Sequence, residues 1–142
     1  MRGQLNFQEI VKAAKEVFSK KEEIIVAYIY GSFLKSNHFQ DVDIGILVKD
    51  DCDIGPLYEA KIAGEFERRL KLKFDVRILN GRPVKFLFSV LKNSKLIYSK
   101  DEHKRIEFES KIMKESLDIK PYHEMYEKMR RNRYERGVRW KN

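Results

Sequence analysis

Three acidic residues on two apolar segments are the side chains most able to do chemistry. Asp41 and Asp43 open an apolar run, and Asp75 is the only acid in the alternating segment 74–79. Because successive strand residues point to opposite faces, Asp41 and Asp43 are predicted to share a face. Paired carboxylates repel each other and resist desolvation, and the apolar residues around them offer no cation. A divalent metal would offset this cost, and oxygen-only ligands suit Mg²⁺.

A second group of candidate residues follows the preceding apolar run, 24–30. Gly31 lets the backbone approach a ligand closely, and Ser32 adds a hydroxyl group. If a helical turn begins at Ser32, its free N–H groups favour an anion, and Lys35 in that turn could contact a phosphate or remain a solvated surface lysine. A phosphate-binding turn beside a cation site indicates a nucleoside triphosphate with Mg²⁺. Three carboxylates could hold two metals, which would stabilise the entering and leaving oxygens of phosphoryl-type transfer.

This set of residues resembles the nucleotidyltransferase superfamily of the DNA polymerase β type. The resemblance rests on Gly31-Ser32, on Asp41-x-Asp43 and on the lone strand residue Asp75. The short chain is similar to the minimal nucleotidyltransferase (MNT) branch of that superfamily. In the family pattern a second Gly usually follows Gly-Ser, whereas segment 33–37 of this chain has none.

The resemblance implies a role for each residue. Gly31 and Ser32 would hold the triphosphate, and Asp41 and Asp43 would bind Mg²⁺. Asp75 would share a metal and activate the acceptor hydroxyl. Such enzymes transfer a nucleoside monophosphate from an NTP, here ATP by expectation, and release pyrophosphate. Minimal members are often paired with a HEPN ribonuclease toxin and act as antitoxins by adding AMP to a tyrosine of the toxin.

Two other functions stay open at the level of sequence. The chain could neutralise a protein partner through its surface without turnover. Alternatively, RNA or tRNA could be the acceptor, because six basic residues between Arg130 and Lys141 form a tail suited to phosphate backbones or an acidic partner. The Tyr and Met stripe in segment 122–129 could belong to the core or form a partner or homo-oligomer contact.

Apolar periodicity predicts the elements that position these residues. A helix is expected over 7–18 behind an Asn6/Glu9 capping box, with strands at 24–30, 41–48 and 73–79, a helical stripe from Ile54 to Leu70, a short helix over 84–91 and a short strand over 96–98. This order predicts an α/β (α+β) fold, a small mixed sheet flanked by helices. We expect a core at 1–100 and, in the same compact unit, a helical extension at 101–142 whose first stripe contains Ile106, Phe108 and Ile112.

Composition limits the class of protein. The chain has 142 residues, is 42% hydrophobic and 37% charged, and carries a net charge of +8. Its size allows one domain with a core, and its single cysteine, Cys52, cannot form an intramolecular disulfide. No apolar run reaches the ~18 residues of a membrane span. We therefore expect a soluble, cytoplasmic protein without a membrane partner.

Overall fold

The computed structural model describes residues 6–31, 41–52 and 54–116. Ser32, Lys35, the Tyr and Met stripe and the basic tail lie outside these ranges, as does most of the predicted extension. The elements in the described ranges follow the order α1 (Phe7–Phe18), β1 (Ile24–Tyr30), β2 (Val42–Val48), α2 (Tyr58–Leu70), β3 (Phe74–Ile78), α3 (Val84–Lys92), β4 (Ser94–Ser99) and α4 (Glu102–Glu115). The predicted mixed α/β class is confirmed.

The four strands form one mixed sheet with the order β3-β2-β1-β4. Strand β1 pairs antiparallel with both β2 and β4, whereas β2 and β3 are parallel. A parallel pair cannot be joined by a tight turn, and α2 provides the crossover from β2 to β3. This unit places the beginnings of β2 and β3 side by side.

Helices cover both faces of the sheet. On one face, Phe18 of α1 and Phe66 of α2 pack with ring centroids 5.4 Å apart, above Val42 and Ile44 of β2. On the other face, residues of α3 and α4 pack against Tyr28 of β1. The predicted capping box starts α1: the Glu9 N–H donates to Asn6 Oδ1 at 2.9 Å, and the Asn6 N–H donates to Glu9 Oε1 at 3.1 Å. None of the described helices combines the length and apolar character needed to cross a membrane.

Strand β3 is an edge strand, and α2 satisfies part of its outer edge. The Phe74 N–H donates to Glu67 Oε2 at 3.0 Å, and the Ile78 N–H donates to Glu59 Oε2 at 2.8 Å. Side chains of α2 thus take the place of a further strand at two positions, which also discourages pairing with another chain. These bonds fix the strand that carries Asp75.

Two sequence expectations about helix faces are wrong. Leu57 belongs to the predicted second stripe but precedes α2 and is 64% exposed. In α4, Ile106 is 43% exposed, while Glu102, Arg105 and Glu109 are buried beside the apolar end of the helix. Apolar periodicity assigns charged residues to solvent, and it fails here because these three charges satisfy one another.

The buried face of α4 carries a closed polar network. Arg105 Nε lies 2.6 Å from Glu102 Oε2, and Arg105 Nη1 lies 2.8 Å from Glu109 Oε1. The Tyr28 hydroxyl of β1 donates to Glu109 Oε2 at 2.5 Å, and the Ser99 hydroxyl of β4 donates to Glu102 Oε2 at 3.1 Å. Burial raises the pKa of Glu109, and Arg105 opposes that shift. The network therefore joins α4 to the neighbouring strands β1 and β4.

Replacing Arg105 with Met should destabilise the fold by about 3–5 kcal/mol, because two buried carboxylates lose their cation. Lys111→Met, on the exposed side of the same helix, should change stability by less than about 0.5 kcal/mol. Urea unfolding followed by circular dichroism measures both variants. Equal stabilities of the two variants would contradict the assigned role of the network.

Candidate functional site

Three polar side chains stand in a row across the sheet. Strand pairing places Tyr30 of β1 directly opposite Asp43 of β2, and Asp43 directly beside Asp75 of β3. Neighbouring strands lie about 4.8 Å apart, so the two carboxylates are held close by the backbone itself. Asp41 precedes β2 by one residue and shares the face of Asp43 by strand alternation. The structure therefore brings all three sequence-predicted carboxylates to one end of the sheet.

The row lies on the face of the sheet opposite to α1 and α2. Val42 and Ile44, which flank Asp43, are fully buried in the core beneath those helices. Phe74 and Val76 flank Asp75 in the same way. The alternation that buries the apolar residues turns the acids to the other side, and the Asp75 side chain remains 40% exposed there. The site is thus open to solvent and to ligands.

Gly31 follows β1 and leaves space for the Asp43 carboxylate. Its φ is +86°, in the left-handed region that side chains rarely adopt. A Cβ at this position would lie 2.2 Å from Asp43 Oδ2, a clash that would force the carboxylate to move. Gly31 is therefore required by contact as well as by backbone conformation. This is a closer link between the glycine and the acids than sequence spacing indicates.

The site carries an excess of negative charge. Burial raises the pKa of Asp43 above its ordinary value, and the charges of Asp75 and Asp41 raise it further. Burial and the Asp43 charge likewise raise the pKa of the Tyr30 hydroxyl on the neighbouring strand. Burial alone does not account for either pKa shift. Each shift also depends on the strand register that brings these groups close together.

Arg77 supplies a cation that the sequence interpretation did not expect at this site. The apolar residues around Asp41 and Asp43 led the sequence interpretation to expect no cation near the acids. The structure instead places Arg77 Nε 3.3 Å from Asp75 Oδ2. The Asp75 charge raises the pKa of Arg77, and Arg77 opposes the upward shift of the pKa of Asp43. Its spacing of two residues from Asp75 on one strand was the available signal.

The donor set suits a hard divalent cation. Asp41, Asp43 and Asp75 offer only carboxylate oxygens, the ligands that Mg²⁺ prefers, and their mutual repulsion favours a bound cation. Among the described residues, however, no group of three or more His, Cys, Asp and Glu side chains is already arranged to hold a metal ion. Asp75 is turned to Arg77 instead. The residues therefore fit a metal in type and in strand position, with Asp75 engaged elsewhere.

Asp43→Asn should stabilise the fold at neutral pH by up to about 1 kcal/mol, since it removes a like charge from a partly screened cluster. The pKa of Asp43 is raised in the folded chain, so its ionisation costs stability as pH rises through that pKa. The gain should be complete above the folded pKa and absent below the ordinary value of 3.8. Thermal unfolding from pH 3 to pH 7 measures it; a gain independent of pH would contradict the charge explanation.

The fold is shared with solved toxin–antitoxin structures at low sequence identity. A chain from a toxin-antitoxin with AMP-PNP is 18% identical with a TM-score of 0.61, covering 80% of this chain and 89% of that one. A chain from a complex of a tri-AMPylated Shewanella oneidensis HEPN toxin with an MNT antitoxin is 19% identical with a TM-score of 0.53, covering 93% and 92%. A chain of the toxin-antitoxin MntA-HepT is 16% identical with a TM-score of 0.56, covering 78% and 84%.

A family model, described as polymerase beta, nucleotidyltransferase, matches residues 12–103. A search of curated proteins gave no match. The matched segment runs from α1 into the start of α4 and includes Gly31, Asp41, Asp43 and Asp75. The match spans well over half of the 142 residues, and the chain belongs to the polymerase β nucleotidyltransferase family.

Proposed function

We propose that this chain transfers a nucleoside monophosphate, AMP from ATP, to a hydroxyl group of a protein partner. The observation that carries the proposal is the cross-strand row in which Asp43 lies beside Asp75, with Asp41 on the same face. Gly31 has no side chain and therefore leaves space for the Asp43 carboxylate. Membership of the nucleotidyltransferase family supports this reaction class.

In this proposal Asp41, Asp43 and Asp75 hold divalent metal, one or two Mg²⁺ ions. When bound, Mg²⁺ supplies positive charge that stabilises the oxygens entering and leaving at phosphorus. The backbone at Gly31, together with Ser32 and Lys35, binds the triphosphate. The roles of Ser32 and Lys35 rest on the sequence, since both lie outside the described residues.

The chain's own residues then position the acceptor. The acceptor oxygen forms a bond to the α-phosphorus of ATP while the bond from that phosphorus to the bridging oxygen breaks, and pyrophosphate leaves. Asp75, 40% exposed at the open side of the site, accepts the proton of the acceptor hydroxyl, as a general base must lie within hydrogen-bonding reach of that proton. Asp43, whose pKa is raised by burial, serves as a ligand.

We further propose that the acceptor is a tyrosine of a HEPN toxin and that the chain is its antitoxin. One structure of similar fold is a toxin-antitoxin with AMP-PNP, and another is a tri-AMPylated HEPN toxin in complex with an MNT antitoxin. A tyrosine hydroxyl can reach Asp75 from solvent, because the Asp75 side chain is 40% exposed. The low identity of these structures makes the acceptor a matter for direct test.

The chain should transfer label from [α-³²P]ATP, but not from [γ-³²P]ATP, to a HEPN partner in the presence of Mg²⁺. Asp41→Asn and Asp43→Asn should each lower the transfer rate at least about 100-fold. Asp50→Asn, an exposed acid beyond the other end of β2, is the matched control and should leave the rate unchanged. Electrophoresis and mass spectrometry of the partner locate the label.

Three outcomes would contradict the proposal in different ways. Label in RNA rather than protein would make a nucleic acid the acceptor. Inhibition of the partner that persists in Asp41→Asn would favour a binding module that acts without turnover. Efficient transfer from another nucleotide in place of ATP would overturn the choice of donor alone.

Gly31→Ala and Gly81→Ala separate backbone strain from the contact with Asp43. Both glycines have positive φ, +86° and +76°, but a Cβ at Gly81 meets no atom within 4 Å. Each substitution should cost about 1 kcal/mol of stability. Only Gly31→Ala should also lower transfer, by about 100-fold, because it displaces the Asp43 carboxylate. Equal transfer rates in the two variants would show that the contact with Asp43 does not matter.

A further inference from the structure

We propose that Arg77 is a positioning residue that holds Asp75 in the metal-free site and gives way to the divalent cation when it binds. The inference rests on the proposed function, because it concerns the same carboxylates. It adds a residue to which the nucleotidyltransferase motif assigns no role. Arg77 would then set the affinity of the site for metal rather than take part in the chemistry.

The geometry places Arg77 as the counter-ion of Asp75. The two side chains lie on the same face of β3, and Nε of Arg77 donates to Oδ2 of Asp75 at 3.3 Å. On the neighbouring strand the residue paired with Arg77 is Gly45, which carries no side chain. The titratable groups that raise the pKa of the Arg77 guanidinium are Asp75, Tyr30 and Asp43, all of them members of the cross-strand row.

The net charge of the site allows a divalent cation to replace Arg77 at Asp75. Three carboxylates and one guanidinium carry a net charge of about −2 at neutral pH, so the site still attracts a divalent cation. Arg77 and Asp75 are 48% and 40% exposed. An ion pair this exposed contributes at most about 1 kcal/mol, and a metal can displace it. The guanidinium thus lowers the repulsion among the acids without closing the site.

The exchange also accounts for the arrangement of the ligands. Asp75 belongs to the predicted metal-binding set, yet the three carboxylates are not gathered as a metal-binding group. Arg77 contacts Oδ2 of Asp75, one of the two oxygens through which this carboxylate could bind a metal. A cation entering beside Asp43 therefore has to compete with Arg77 for Asp75.

Titration of the full chain with Mn²⁺ alone, followed by electron paramagnetic resonance of the free ion, tests the exchange. Arg77→Met should bind Mn²⁺ roughly three- to tenfold more tightly than the wild type, since a nearby positive charge is removed. Arg77→Lys keeps the charge and should remain within about twofold of the wild type. Lys49→Met is the matched control: it removes an exposed charge directly after β2, at the end of the strand opposite to Asp43, and should leave the affinity unchanged.

Tighter binding is a readout that structural damage would not produce, because a loosened site binds more weakly. An unchanged or weaker affinity in Arg77→Met, with wild-type binding that disappears in Asp41→Asn, would overturn the exchange and leave the proposed function standing. Absence of Mn²⁺ binding in both the wild type and Arg77→Met would overturn the metal site together with the exchange. An equal gain in Mn²⁺ affinity in Lys49→Met would show that net charge alone causes the effect, and it would also overturn the exchange.

Discussion

The parallel pairing of β2 with β3 is the constraint on which the rest of the site depends. It places Asp43 beside Asp75 through backbone hydrogen bonds, which fix the separation of the two Cα atoms whatever rotamers the side chains adopt. The same alternation that seats Val42 and Val76 in the core turns both acids to the face opposite to α1 and α2. Core packing therefore holds two like charges together: a shift of one residue in register would carry the acids into the core.

Repulsion among these carboxylates lowers the stability of the folded chain, and the residues around them limit that loss. Gly31 leaves space at Asp43, the Asp75 side chain keeps contact with solvent, and Arg77 compensates part of the charge. None of these features adds to the apolar core. They are expected where a site must stay charged and accessible, because stability there is traded against the ability to bind a cation.

The network around Arg105 solves a related electrostatic problem in the opposite way. There the carboxylates of Glu102 and Glu109 are buried and fully paired. The carboxylates of the candidate site are instead partly exposed, and their negative charge is only partly balanced. A paired buried network resists change, because removal of one member leaves the remaining charges buried without a partner. An exposed, incompletely balanced cluster can exchange partners. The contrast explains why the Arg105 network suits a structural support, while the row across β1, β2 and β3 suits the proposed metal site.

The sequence by itself determined the order of the elements, the mixed α/β class and the three acids, because apolar periodicity and the spacing of Gly31, Asp41, Asp43 and Asp75 are local properties of the chain. The confirmed Asn6 and Glu9 capping box is local in the same sense. Tertiary structure alone decided which polar groups meet: the register of β2 with β3, the partner of Arg77, and the burial of α4 through Arg105 rather than Ile106. Charges attract and compensate one another across elements, and a pattern read along one chain segment contains no information about distance between segments.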